Sequence, residues 1–192
     1  KTVNKLDDSK IRLENVGFLV REPMLASGEV DAIFGFAHST FITLKARGVP
    51  AEDIVVMLMA DYGVELYGNG VIVSPKFLSE KPEVVKAFLR ALTRSIREVV
   101  ADPAGAIESV MRRNDVARRD VEIERLRMAV DNYVITPWTK ANGFGGIDPN
   151  RWERAADQIG LTFGYKNKTR ATDAFADVYL PDAAERTIPP GN

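Results

Sequence analysis

The chain has 192 residues, of which 45% are hydrophobic and 28% are charged, with a formal net charge of -1. These values exclude an intrinsically disordered chain and indicate a folded globular protein that can bury a sizeable core. The balanced charge gives no general electrostatic attraction to nucleic acid or to an anionic membrane. Cysteine is absent, which excludes disulfides, thiolate metal sites and cysteine nucleophiles.

Four short apolar segments have the composition of β-strands. The first begins with alternating apolar and charged residues, and the others are almost continuously apolar, as in strands buried on both faces of a parallel sheet. These segments are residues 11–18, 30–36, 54–59 and 71–73. A helix is predicted over residues 41–47, with Ser39 and Thr40 as N-cap residue types. Because strand, helix and strand alternate here, the sequence predicts an α/β fold with right-handed crossovers.

Helical patterns dominate the rest of the chain. A one-turn helix is predicted to open at Pro23. After Pro82, apolar residues recur at spacings of three and four, which predicts a long amphipathic helix. The other predicted helices cover residues 104–113, 121–133 and 150–160. Residues 173–192 contain three prolines and are expected to wrap the surface before fraying.

The strands are too few for two complete sheets, so the pattern is interpreted as the later portion of a larger two-lobed protein. Several segments then resemble a known family. They are VGFLVREPMLASGEVDAIFGF, DYGVELYGNGVIVSPKFLSEKPEVVKAFLRAL, ADPAGAIESV, ITPWTKANGFGGIDPNRW and ADVYLPD. Taken in order from Leu13 to Pro181, they resemble the solute-binding proteins of ABC importers, in the group that binds thiamine-pyrimidine precursors, alkanesulfonates, nitrate and riboflavin.

This resemblance implies a periplasmic-binding-protein type II fold, in which two α/β lobes clamp a ligand between them. Residues 1–67 would form the later part of lobe 2, and residues 68–192 the returning half of lobe 1. The hinge between them would be the crossing at about residues 62–71. The opening strands of lobe 1 and the start of lobe 2 are expected to be missing from these 192 residues.

The turn before the predicted helix of residues 41–47 is the first candidate for ligand contact. Free backbone N–H groups there could hold an anionic or carbonyl group, and Phe36 could stack on a flat ring. His38 could donate or accept a hydrogen bond, and Ser39 lies beside it. The alternative is structural, with Phe36 in the core and Ser39 only a cap. His38 is the single histidine and has no Cys or carboxylate pair near it in the sequence, so no metal site is expected.

The glycine-rich crossing is the second candidate. Tyr62, Tyr67 and Asn69 stand there among glycines, which allow unusual backbone angles and close approach. In the thiamine-pyrimidine binders that the chain resembles, a carboxylate stands where Asn69 is found. Because Asn69 carries an amide in place of that carboxylate, flavin-like and other small organic ligands remain candidates.

The sequence therefore predicts the substrate-binding component of an ABC importer, periplasmic or otherwise extracytoplasmic, with a lipid anchor as one option. Its expected partners are a small heteroaromatic or acidic solute and the permease subunits in the membrane, without nucleic acid. We expect no enzymatic activity and no cofactor, and a monomer when the protein is complete. The alternatives are an enzyme that resembles the thiamine-pyrimidine synthase, and a ligand-sensing domain that uses the same clamp.

Overall fold

A computed structural model describes residues 3–189, and the regular elements within them are helical. The α-helices are α1 (Arg21–Ser27), α2 (Ala37–Ala46), α3 (Pro75–Glu80), α4 (Pro82–Ala101), α5 (Pro103–Met111), α6 (Arg119–Ala129), α7 (Pro137–Asn142), α8 (Pro149–Phe163) and α9 (Ala171–Ala174). Four short 3₁₀ turns join them, at Asp8–Lys10, Ala51–Asp53, Met59–Tyr62 and Asp177–Tyr179. A π-helical turn, Val130–Val134, continues α6.

The predicted parallel sheet is not formed by residues 3–189. At Ile11 (φ -110°, ψ 116°) and Ile54 (φ -99°, ψ 110°) the backbone has extended, strand-like angles. However, a strand exists only beside a second strand that satisfies its backbone hydrogen bonds. None of the four segments is paired, and many of their apolar side chains are exposed to solvent, Ile72 by 96%. The expectation of paired strands was therefore wrong for this part of the chain.

The long helix predicted after Pro82 is confirmed as α4. Its N-terminal proline has the fixed φ that suits a first helical position, and Val85 and Val100 are buried on one side. Helix α8 was also predicted, and it begins where the Asp148 carboxylate accepts a hydrogen bond from the N–H of Asn150 at 2.9 Å. Both helices could be predicted because the residues that cap them and the spacing of their apolar residues lie within or directly before each helix.

Helix α2 begins earlier than predicted, at Ala37. Its N-cap is Phe36, whose carbonyl accepts hydrogen bonds from the N–H groups of Ser39 and Thr40, each at 2.9 Å. Ser39 and Thr40 are therefore helical residues and not caps. The Thr40 hydroxyl instead donates to the buried carboxylate of Glu22 at 3.1 Å, which joins α2 to α1.

The main core lies where α4, the π-helical turn and the C-terminal segment meet. Val100, Val130 and Ile188 are its buried residues. The segment before Ile188 is held by two further contacts, since the carbonyl of Arg186 accepts from the N–H of Phe144 at 2.8 Å and Arg97 donates to the carbonyl of Glu185 at 3.1 Å. Residues 173–187 are exposed or half-buried except for Pro181, as expected of a segment that wraps the surface, whereas Ile188 is buried in the core. Residues 190–192 lie outside the described range.

Candidate functional site

Three aromatic rings meet at the start of α2. The Phe36 and His38 rings are tilted by 37° with their centroids 5.7 Å apart. The His38 ring meets the edge of Tyr133 at 5.3 Å and 72°. Phe36 is 53% exposed and Tyr133 is 43% exposed, whereas His38 between them is partly buried. We call these three residues the aromatic cluster.

His38 is held in its neutral form by its surroundings. Burial lowers the pKa of His38 below its ordinary value, and the positive charge of Arg125 on α6 lowers that pKa further. The Nδ1 atom of His38 is enclosed and has no hydrogen-bond partner within residues 3–189. Arg125 itself lies 3.3 Å from the Glu122 carboxylate, so its charge is paired.

Packing of α2 against α6 brings the aromatic cluster together. Ile42 and Leu44 are the buried residues of α2, at 1% and 2% exposure. Lys45 of α2 forms an ion pair with Glu124 of α6. Helix α2 thus has two buried apolar residues and is tied to α6 by an ion pair.

The first half of the predicted crossing is bound to α8. Arg151 donates to the carbonyls of Glu65 at 3.0 Å and Leu66 at 2.9 Å, and Gln158 donates to the carbonyl of Gly63 at 2.7 Å. These are the carbonyl groups that a neighbouring strand would otherwise satisfy. Side chains of α8 thus hold residues 63–66 in place of a sheet.

Tyr67 is engaged by the same helix. Its hydroxyl accepts a hydrogen bond from the N–H of Asp148 at 2.7 Å and lies 3.3 Å from the Asp148 carbonyl. The guanidinium of Arg151 lies 4.6 Å from the centre of the Tyr67 ring, and the Trp152 ring lies 6.4 Å from it. The hydroxyl and part of the ring surface are therefore in use within the protein.

The other two crossing candidates have different surroundings. Tyr62 is 46% exposed, and its carbonyl accepts a hydrogen bond from the Asn4 side chain at 2.9 Å. Asn69 is exposed, as are Gly68 and Gly70 beside it. The structure thus brings Phe36 and His38 into contact, with Ser39 on the same helix, while Tyr62 and Tyr67 lie at the two ends of the segment held by α8.

Sequence reasoning missed two residues of these sites. Tyr133 was predicted only as the last residue of the helix over residues 121–133, and Arg151 only as a residue of the helix over residues 150–160. No sequence signal marks the contact of Tyr133 with His38, because the two residues are far apart in the chain. The Asp148-Pro149 helix start did predict where Arg151 would stand, but not what it would bind.

The described residues contain neither a metal-binding cluster nor a helix that could span a membrane. Across residues 3–189, no cluster of three or more His, Asp or Glu side chains is arranged to hold a metal ion. In the same range, none of the helices combines the length and the apolar character that crossing a membrane requires.

A cavity of about 280 Å³ lies between the α4–α5 junction and the π-helical turn, and its lining includes Val100, Pro103 and Val130.

Two curated proteins are similar to this chain over most of its length. The formylaminopyrimidine-binding protein of Halalkalibacterium halodurans is 28% identical over 179 residues, which cover 90% of this chain and 52% of that protein. The riboflavin-binding protein RibY of Chloroflexus aurantiacus is 26% identical over 181 residues, which cover 92% of this chain and 49% of that protein. The chain thus spans about half the length of these curated relatives. No solved structure matches it significantly.

The profile of one protein family matches the first part of the chain. This family is described as NMT1/THI5 like, and the match covers residues 3–106, which is more than half of the 192 residues. The match includes the aromatic residues Phe36 and His38 as well as the whole crossing. Together with the two relatives, it confirms the resemblance seen in the sequence: the chain belongs to the NMT1/THI5-like family.

Proposed function

We propose that the chain belongs to the substrate-binding component of an ABC importer, working outside the cytoplasm. It clamps a small, flat heteroaromatic solute between two lobes of a periplasmic-binding-protein type II fold. Residues 1–67 supply the later part of lobe 2, and residues 68–192 supply the returning half of lobe 1. The ligand-bound protein then docks, as a monomer, on the permease subunits in the membrane.

The observation that carries this proposal is the exposed ring of Phe36 beside His38 at the start of α2. Both curated relatives are named for binding flat nitrogen heterocycles, a formylaminopyrimidine in one case and riboflavin in the other. Aromatic side chains bind such rings by offset stacking, and a neighbouring polar group fixes the orientation. Phe36 supplies the stacking surface, while His38 and Ser39 supply the polar groups.

The hinge of the clamp is narrower than the crossing of residues 62–71. The two parts of the chain are the residues up to Tyr62 and the residues from Gly63 onward. The Tyr62 carbonyl accepts a hydrogen bond from Asn4 of the first part, whereas the Gly63 carbonyl accepts one from Gln158 of α8 in the second part. Gly63 has a φ of 80°, which glycine adopts without strain. These contacts support a pivot in the backbone torsion angles that flank the Tyr62–Gly63 peptide, with ligand binding favouring the closed state. Residues 63–67 then move with the second part of the chain, so that the boundary between the lobes shifts from residue 67 to Tyr62.

Binding alone, without chemical conversion, is the function proposed for this chain. The relatives are named as binding proteins. The single histidine has a lowered pKa and lies among aromatic rings, and no carboxylate within residues 3–189 is bound to its Nδ1 atom. A synthase would convert a bound pyrimidine, so incubation with formylaminopyrimidine should return the compound unchanged.

Titration of the complete protein with formylaminopyrimidine and with riboflavin tests the proposal. We expect one of them to saturate a single site and to raise the melting temperature, because a ligand that binds only the folded state stabilises it by about 2.7 kcal/mol at a concentration of 100 Kd. A non-aromatic alkanesulfonate should bind much more weakly. If neither heterocycle binds, the proposed function is wrong.

Asn69→Ala tests the contribution of the crossing. Loss of one hydrogen bond to the ligand should weaken binding by roughly 2- to 12-fold, since such a bond contributes about 0.5–1.5 kcal/mol. Asn167→Ala is the matched control, because Asn167 is equally exposed but lies beyond α8. Equal affinity of both variants would remove Asn69 from the site, provided that both fold like the wild-type protein.

A further inference from the structure

The aromatic cluster is built from both sides of the proposed hinge. Phe36 and His38 precede Gly63, whereas Tyr133 follows it on a different helical element. Tyr133 meets His38 edge to face, at 5.3 Å and 72°. A residue from the second part of the chain thus lies against the candidate contact residues of the first part.

The backbone at Tyr133 is irregular. Residues Val130–Val134 form a π-helical turn, closed by a hydrogen bond from the N–H of Ile135 to the carbonyl of Val130 at 2.8 Å. Val130 is buried in the main core, while Tyr133 is 43% exposed. Single π-helical turns within α-helices occur frequently at functional sites. Here the turn anchors one end in the core and presents an aromatic side chain to α2.

A second observation points to a ligand. The Nδ1 atom of His38 is enclosed but has no hydrogen-bond partner within residues 3–189. Buried polar atoms in native proteins are nearly always satisfied, so an exception needs an explanation, of which a functional role is one. Arg125, whose charge affects His38, is already paired with Glu122 at 3.3 Å.

We propose that Tyr133 is a ligand-binding residue, and that it completes with Phe36 an aromatic surface, next to His38, on which a flat heterocycle stacks. This inference rests on the proposed function and identifies a contact from the second lobe. Because Phe36 and Tyr133 lie on opposite sides of the proposed hinge, a ring that contacts both residues also couples binding to closure of the clamp. The ligand class is a planar nitrogen heterocycle, the class to which pyrimidines and flavins belong.

Replacement of Tyr133 by Ala and by Leu tests this inference in the complete protein, with formylaminopyrimidine and riboflavin as the probes. Both variants remove the aromatic ring, and Leu keeps most of its apolar volume. Each should raise the dissociation constant by roughly 2- to 12-fold, the range given by a stacking energy of about 0.5–1.5 kcal/mol. Tyr133→Phe keeps the ring and should stay within about 2-fold of wild type.

The matched control is Tyr165→Ala. Tyr165 is exposed and stacked on Phe163, with ring centroids 5.5 Å apart, so the control also removes a partly exposed tyrosine from an aromatic pair. It should leave the affinity unchanged. If wild-type protein binds a probe and the Ala and Leu variants bind it equally well, the role of Tyr133 is refuted while the proposed function stands. If wild-type protein binds neither probe, both proposals fall.

Discussion

At the scale of single residues, His38 shows how its surroundings decide its chemistry. An exposed histidine would be partly protonated near neutral pH, but desolvation and the charge of Arg125 lower the pKa of His38. A neutral imidazole offers one donor and one acceptor, which suits recognition of a heterocycle. The same environment makes the stability of the folded chain depend on pH.

We predict that His38 makes the protein less stable as the pH falls below about 6.5, the ordinary pKa of histidine. The unfolded chain takes up a proton there, whereas folded His38 binds it only at lower pH. The free energy of unfolding therefore rises with pH in this window, and the stability that neutral His38 contributes is lost as the pH falls through its lower folded pKa.

Urea unfolding at pH 7.5 and pH 5.5 measures this effect. Wild-type protein should lose more stability between the two conditions than His38→Gln, in which the titrating group is absent. Carboxylates titrate in both proteins, so the variant separates their contribution from that of His38. An identical loss in the two proteins would contradict the assigned pKa shift.

At the scale of elements, α8 takes the place that a neighbouring strand would have beside residues 63–66. We predict that Arg151→Ala lowers the free energy of unfolding by about 1–3 kcal/mol, because it removes charged hydrogen bonds to two carbonyls and a cation–π contact. It should also speed hydrogen exchange at neighbouring amides of the crossing.

Arg113→Ala is the control for this prediction. Arg113 is exposed, and its guanidinium donates only to the carbonyl of Ser109, one turn earlier, at 2.9 Å. Its replacement should change stability by less than about 0.5 kcal/mol. If both arginine variants behave alike, α8 does not hold the crossing.

The elements that the sequence could predict are those whose causes are local. Helix α4 follows from an apolar stripe and an N-terminal proline, and α8 from Asp148 and Pro149. Helix α7 was missed although it begins with a capping box, in which Thr136 and Thr139 exchange hydrogen bonds of 3.1 and 2.9 Å. The strands could not be settled locally, because their existence depends on partners elsewhere.

The residues of the candidate site also fall into those that the sequence could locate and one that it could not. Phe36, His38 and Ser39 were expected at a turn before a helix, whereas in the structure Phe36 is the N-cap of α2 and His38 and Ser39 lie in its first turn. Their role in ligand contact stays a prediction, as do those of Tyr62, Tyr67 and Asn69. Tyr133 could not be found from sequence, because a π-helical turn departs from the 3.6-residue pattern on which helix faces are assigned.

At the scale of the whole molecule, the proposed function depends on relative movement of two parts. Contacts between α2 and α6 join the parts on one side, through the aromatic cluster and the Lys45–Glu124 ion pair. The Tyr62–Gly63 bond joins them on the other. A ligand that stacks on residues from both parts would shift the population toward the closed arrangement by its preference for that arrangement.

The most direct test of this account is a distance measurement between the two parts. Because these 192 residues contain no cysteine, Glu52→Cys and Asp115→Cys, both at exposed positions, add two labelling sites to this part of the protein. Any cysteine elsewhere in the complete protein is first replaced by Ser, so that the spin labels attach only to these two sites. Addition of saturating riboflavin or formylaminopyrimidine, whichever binds, should shift the distance distribution to shorter and narrower values. An unchanged distribution with the ligand bound would contradict the clamp.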